Sequence, residues 1–273
     1  MSKLKTLIHY KYLSERSTHL LRWYIKILRK YRFINTSNKL LVSAVLPYKK
    51  NIALNFDQNL AEIYQIEYYN SPTESFEERT LRLLPQICSN NPNSYISYIN
   101  LKGNSHSSYS LSATHWAFAM MHNMGLFIPI LANHSLTPYD AFGSFVTYSS
   151  FGQKLNQLIP HFPGNFWIAK TDYLRRLDFS LLTSSDRFSS EYLLGTKLGN
   201  FFNIEAYPHN IYTYRSNYKI RKLIKYISKS MSSYEYFELP PEYNNFYLGS
   251  ELSSSQRGFP QFISSPTWFK YVQ

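Results

Sequence analysis

Cysteine occurs once in this 273-residue chain, at position 88. A lone Cys88 excludes an internal disulfide framework and any zinc site built from cysteines, and it suits a reducing compartment. Acidic residues are also in short supply, with 17 Asp and Glu against 29 Lys and Arg and a formal charge of +12. An excess of that sign draws anionic partners at long range, and nucleotide diphosphates, anionic membrane surfaces and nucleic acids all qualify. Long apolar runs are missing as well. The longest, at residues 117–121 and 126–132, fall far short of the roughly 20 residues that cross a bilayer, so no transmembrane helix is expected. The charged opening leads into a stretch too short and too polar for a signal-peptide core, so export is not expected and the chain reads as cytoplasmic.

Three familiar catalytic signatures are absent too. The 8 histidines include no pair at His-x-x-x-His spacing, which leaves zinc catalysis unsupported. Gly-x-Ser-x-Gly does not occur, which disfavours a serine hydrolase of that type. No acidic residue stands two positions from another, so there is no Asp-x-Asp pair to hold a divalent ion against a diphosphate.

What is present is an apolar chain of ordinary globular character. Hydrophobic residues make up 44% and aromatics 18%, enough for a sizeable core. Apolar patterning predicts strands at residues 5–12, 39–46, 62–69, 95–101, 142–148, 165–170 and 201–207. Helices are expected from a Ser17 or Thr18 cap to about Phe33, and from a Ser75 and Glu78 capping box to about Ser89. Further helices are expected over residues 110–124 and 171–177, and over 184–198 with a stop at Gly199. Strands alternating with helices imply an α/β fold with a largely parallel sheet. On this reading residues 1–210 form one domain, followed over 211–273 by a basic helix and a Tyr-, Ser- and Pro-rich tail. No acidic residue falls between Ala206 and Tyr234, and Lys222, Lys225 and Lys229 recur there at helical spacing. Arg22, Lys26, Arg29 and Lys30 recur likewise in the first helix. A solvated outer face is the ordinary meaning of such a stripe, and docking to an anionic membrane face is the functional one.

The run His161-Phe162-Pro163-Gly164-Asn165-Phe166-Trp167 fits neither a helical stripe nor an alternating strand. A Pro-Gly pair turns the backbone sharply or lets it approach a ligand, Asn and His offer hydrogen bonds, and Trp offers a flat surface. That combination suits a sugar or a nucleotide. The run resembles the H-F-x-G-N-F-W signature of a group of GT-A-like glycosyltransferases of polysaccharide and glycan assembly. Other segments match in the same order. Residues 95–103 resemble that group's strand ending in His-Thr-Lys-Gly, with Asn100 and Leu101 in place of the His and Thr. Trp116, the segment 140–143 before an apolar strand, and Arg187 with Glu191 also fall where the pattern places them.

The resemblance implies a GT-A-like, nucleotide-diphospho-sugar transferase fold. It also implies transfer of a sugar from a nucleotide-sugar co-substrate to a hydroxyl of a glycan or a lipid-linked acceptor, possible at the inner membrane face. Donor or acceptor contact is then expected from His9, Lys102, Gly103, Asn104, Asp140, His161, Gly164, Asn165, Trp167 and Arg187. Lys102 would meet the charge that builds on a departing diphosphate. Glu191 would serve as the base, with Asp186 as the fallback and Arg187 on the same helix face four residues before it. Involvement of Mn or Mg stays open, and the missing Asp-x-Asp pair favours Lys102 and His161 standing in for a metal. Asn165 is expected in the cleft, where Ala would remove an amide without opening a core cavity. Two other readings compete. Because Asn100, Leu101 and Pro163 depart from the pattern, a non-catalytic binder of nucleotide sugars or glycans is one. The charge and 25 tyrosines suggest a nucleic-acid-binding module as the other, but no recognised nucleic-acid motif accompanies them.

Overall fold

A computed structural model describes residues 4–35, 37–48, 54, 56–70, 77–102, 104, 113, 116–118, 120–122, 124, 125, 128, 138–144, 147–150, 158–183 and 189–203. These fall within one compact unit, residues 1–203. The expected basic helix at 215–229 and the tail after it lie outside the described residues.

β1 (Leu4–Lys11), β2 (Leu40–Pro47) and β4 (Tyr95–Asn100) are buried along nearly their whole length, as parallel strands covered on both faces are. β3 (Ala61–Tyr69) is buried only at its two ends and exposed or half-buried between them, as an edge strand is. Shorter strands follow: β5 (Ala141–Gly143), β6 (Thr147–Ser150), β7 (Leu158–His161), β8 (Trp167–Lys170) and β9 (Phe201–Asn203). Seven of them form one sheet in the order β3-β2-β1-β4-β8-β5-β9. β8 pairs antiparallel with both β4 and β5, and every other pairing in this sheet is parallel. Six strands therefore point one way, and the fold is mixed α/β with a mostly parallel sheet. β6 and β7 make a separate antiparallel ribbon.

Helix α1 (Glu15–Lys30) buries Leu20, Leu21, Tyr24, Ile27 and Leu28 while Arg22, Lys26, Arg29 and Lys30 face out, the expected division. It begins earlier than expected, because Ser17 acts from inside the first turn: its Oγ accepts the Leu13 and Ser14 N–H groups at 3.0 and 3.3 Å. The single helix expected up to Ser89 is two, α2 (Glu77–Leu81) and α3 (Leu84–Asn90). Pro85 accounts for the break, since it lacks an N–H and its ring conflicts with the carbonyl four residues back. Ser75, the other half of the expected capping box, lies outside the described residues.

The strand expected over 142–148 is two strands in different sheets, β5 and β6. The stretch 165–170 becomes strand only at Trp167, because Asn165 has a φ of 60°. Over 171–177 the helix covers only Thr171–Leu174. Over 184–198 an α-turn, Ser189–Tyr192, runs into a 3₁₀ turn, Leu193–Thr196, while 184–188 lie outside the described residues. The described residues of the expected 110–124 helix are helical and bury Met120, Met121 and Met124. Among the described residues no helix is long and apolar enough to cross a membrane.

Candidate functional site

β1 and β4 end side by side, with His9 in register with Asn100. The chain leaving β4 is tied down by three contacts. Asn104 donates through Nδ2 to the Lys11 carbonyl at 2.5 Å, Arg16 donates to the Asn104 carbonyl at 3.2 Å, and the Tyr24 hydroxyl reaches the Lys102 carbonyl at 3.4 Å. β8 starts at the same edge, because it runs against β4 and pairs Trp167 with Tyr98. The residues just before it form a tight turn, closed by the Asn165 N–H on the Phe162 carbonyl at 3.0 Å. Pro163 takes the second position and Gly164, with φ of 78°, the third, which is the type II arrangement. A side chain at Gly164 would also crowd a neighbour, since a Cβ there would sit 3.2 Å from Lys102 Nζ. The Lys102 ammonium thus lies against the bare backbone of the turn, and it covers the Trp116 ring at 4.2 Å.

Behind the turn is a buried carboxyl group that the sequence did not single out. Glu77, at the start of α2, is 5% exposed. Its Oε1 accepts from the Tyr98 hydroxyl at 3.0 Å and from Asn165 Nδ2 at 2.7 Å, and its Oε2 accepts from Asn100 Nδ2 at 3.0 Å. Asn165 Nδ2 also donates to the Ser190 carbonyl at 3.0 Å, and its Oδ1 accepts from Trp167 Nε1 at 2.7 Å. The Tyr98 and Trp167 rings stack with centroids 5.1 Å apart. Burial pushes the Glu77 carboxyl up to about 7, and the charge of Glu191 adds to the rise. Hydrogen bonds from Asn165 and Tyr98, then the Lys102 charge, pull the other way.

The expected site residues divide accordingly. Lys102, Asn104, Gly164, Asn165, Trp167 and Glu191 come together at this edge. Glu191 is half-buried on the turn of helix after Ser189. The buried His161, ending β7, packs its ring edge-to-face on Tyr192 at 4.8 Å. His9 is buried in β1, where its Nδ1 meets Thr80 Oγ1 at 2.8 Å and Thr80 in turn donates to Ser43. Asp140 stands elsewhere. It precedes β5, and its carbonyl accepts from Lys170, the residue opposite Tyr95 at the start of β4. The length of β4, about 17 Å at roughly 3.3 Å per residue, separates it from the Lys102 edge. There its carboxylate accepts the Asn200 N–H at 2.9 Å and faces Arg176 at 3.9 Å. Gly103, Asp186 and Arg187 lie outside the described residues.

One expectation needs correcting. Asn165 is 1% exposed and uses both ends of its amide inside the protein, so replacing it with Ala disturbs the core. The signal for Glu77 was present in the helix period: it lies four residues before Leu81, hence on the same buried face. Asn100, which departs from the resembled strand's His, still supplies the N–H that the carboxylate needs. Among the described residues, no group of three or more His, Cys, Asp or Glu could hold a metal ion.

Residues 26–181 match a family described as a domain of unknown function, DUF8361. The chain belongs to that family. No curated protein matches it. Solved structures that align with the chain include the bifunctional IspDF of Campylobacter jejuni, at 12% identity and a TM-score of 0.35 over 76% of this chain. The chain spans 50% of that protein's length. A 4-diphosphocytidyl-2C-methyl-D-erythritol synthase aligns at 11% identity and a TM-score of 0.36, covering 82% of this chain and 100% of the other. A protein from Desulfovibrio desulfuricans G20 assigned as a nucleotide-diphospho-sugar transferase aligns at 11% identity and 0.38, over 87% of this chain and 100% of the other.

Proposed function

We propose that the chain is a glycosyltransferase that moves a sugar from a nucleotide-sugar donor to a hydroxyl of a glycan or lipid-linked acceptor. The observation that supports this most is the Lys102 ammonium at the carboxyl edge of the parallel strands, held between Trp116 and a turn without a side chain at Gly164. Ligands of open α/β sheets gather at that edge. When the bond between the anomeric carbon and the donor phosphate breaks, negative charge builds on the departing diphosphate, and a fixed cation there lowers the barrier. Glu191, beside the same turn, takes the proton of the acceptor hydroxyl as its oxygen attacks the anomeric carbon.

Glu191→Gln keeps the shape of the side chain and removes the base. Release of nucleoside diphosphate from the donor is expected to slow by about two to four orders of magnitude, with donor affinity nearly unchanged. Near-normal turnover would take Glu191 out of the mechanism. Donor binding by the wild type without any release would make the chain a non-catalytic binder. Synthesis of a nucleotide sugar from a nucleoside triphosphate and a sugar phosphate would make it a nucleotidyltransferase.

A further inference from the structure

Two segments distant in sequence meet on one carboxyl group, and a third is tied to them through Asn165. Asn100 ends β4, Asn165 closes the turn against which Lys102 lies, and the carbonyl of Ser190, on the helix that carries Glu191, accepts from the Asn165 amide. Tyr98 adds a third contact to the carboxyl, and through Asn165 the network extends to the Trp167 indole. An ionised carboxylate is purely an acceptor, and here it faces three donors. Once protonated it carries an O–H of its own. Of its three partners only the Tyr98 hydroxyl can reverse to accept that proton, and the two amide contacts drop from charge-assisted to neutral strength, roughly half.

We propose that Glu77 is a positioning residue whose ionised carboxylate clamps Asn100 and the turn at residues 162–165, so that one proton on Glu77 sets how firmly the surface under Lys102 is held. The charged and titratable groups that face it are Tyr98 on β4, Lys102 beyond β4, Glu191 on the neighbouring helix, and Glu78 beside it on α2 acting through Tyr98. Burial and the Glu191 charge place the change near neutral pH, at about 7. The functional meaning of the clamp rests on the sugar-transfer reading, whereas the clamp itself is tested without any donor, so the two can fail separately.

The test is the side-chain N–H spectrum of the ¹⁵N-labelled full chain between pH 5.5 and 8.5. The Trp167 indole N–H and the Asn100 and Asn165 amides, assigned from Trp167→Phe, Asn100→Asp and Asn165→Gly, are expected to shift together with one midpoint near 7. In Glu77→Gln the joint shift should vanish. Glu191→Gln should move the midpoint down by removing a like charge, and Tyr98→Phe should move it up by removing a donor to the ionised form. These two variants decide the matter if Glu77→Gln does not fold. Resonances that fail to move together in the wild type, that titrate unchanged in Glu77→Gln, or whose midpoint ignores both other variants would overturn the assignment.

Discussion

At Asn165 the backbone sits in the left-handed region and the amide carries three hydrogen bonds, so two substitutions separate two costs. Asn165→Gly keeps the backbone and loses the amide, whereas Asn165→Ala loses both. The Ala variant is expected to lose about 3 kcal/mol, roughly 1 of it for an L side chain at positive φ and the rest for stranded partners such as the Trp167 indole. The Gly variant should retain about 1 kcal/mol more in urea unfolding. Equal stability of the two would show that the left-handed turn does not persist in solution. Two buried groups also write opposite pH dependences into the fold. Glu77, raised from 4.5 to about 7, holds a proton in the folded state that the unfolded chain releases, so its contribution is full below 4.5 and is lost as pH rises through 7. His122, lowered from 6.5 to about 4 by burial and by the nearby Lys30, does the reverse and costs stability as pH falls through that window. Because the windows overlap, the wild-type curve alone is uninformative. The stability difference between wild type and Glu77→Gln should drift against the wild type as pH rises from 4.5 to 7, by about 3 kcal/mol at 1.36 kcal/mol per unit. A difference constant across that range would mean that Glu77 titrates normally.

The turn at residues 162–165 joins the fold to the site, and Gly164 is the position that lets it do so. Gly164→Ala introduces a Cβ at φ of 78° and 3.2 Å from Lys102 Nζ. It is expected to cost about 1 kcal/mol of stability and to displace the ammonium. Affinity for a nucleoside diphosphate should fall about tenfold, the equivalent of one contact at 1.4 kcal/mol, with the circular dichroism of the fold retained. Unchanged affinity would detach Lys102 from the ligand. Much of this element level was readable from sequence. The strands β1, β2 and β4, the outward stripe of α1 and the Pro-Gly turn all follow from period and residue type. The errors arise from local chemistry at two positions and from a tertiary contact at a third. Pro85 splits one apparent helix, and Ser17 works within the first turn instead of before it. Phe162 packs so closely on Gly143, the last residue of β5, that a Cβ there would overlap its ring. Glu77 was hidden for a different reason. A carboxyl on a buried helix face has meaning only once Asn100, Tyr98 and Asn165 arrive from 21 to 88 residues away.

On the scale of the whole molecule, a charge of +12 draws any polyanion, so attraction alone does not distinguish a nucleotide sugar from nucleic acid. Discrimination must come from a defined site, and the proposed one is formed by Lys102, Trp116 and the Gly164 turn. The most direct measurement is thermal unfolding of the wild type and of Lys102→Met with UDP-, GDP-, CMP- and dTDP-sugars, each with and without manganese, and with duplex DNA or RNA as the competing polyanion. A ligand at a hundred times its dissociation constant stabilises by about 2.7 kcal/mol, a rise of several degrees in Tm for a chain of this size. One nucleotide-sugar class is expected to raise the wild-type Tm by that amount, with most of the rise lost in Lys102→Met and the unliganded Tm of the variant close to wild type. No rise with any nucleotide sugar, a rise equally large in Lys102→Met, or stabilisation by DNA or RNA alone would contradict it.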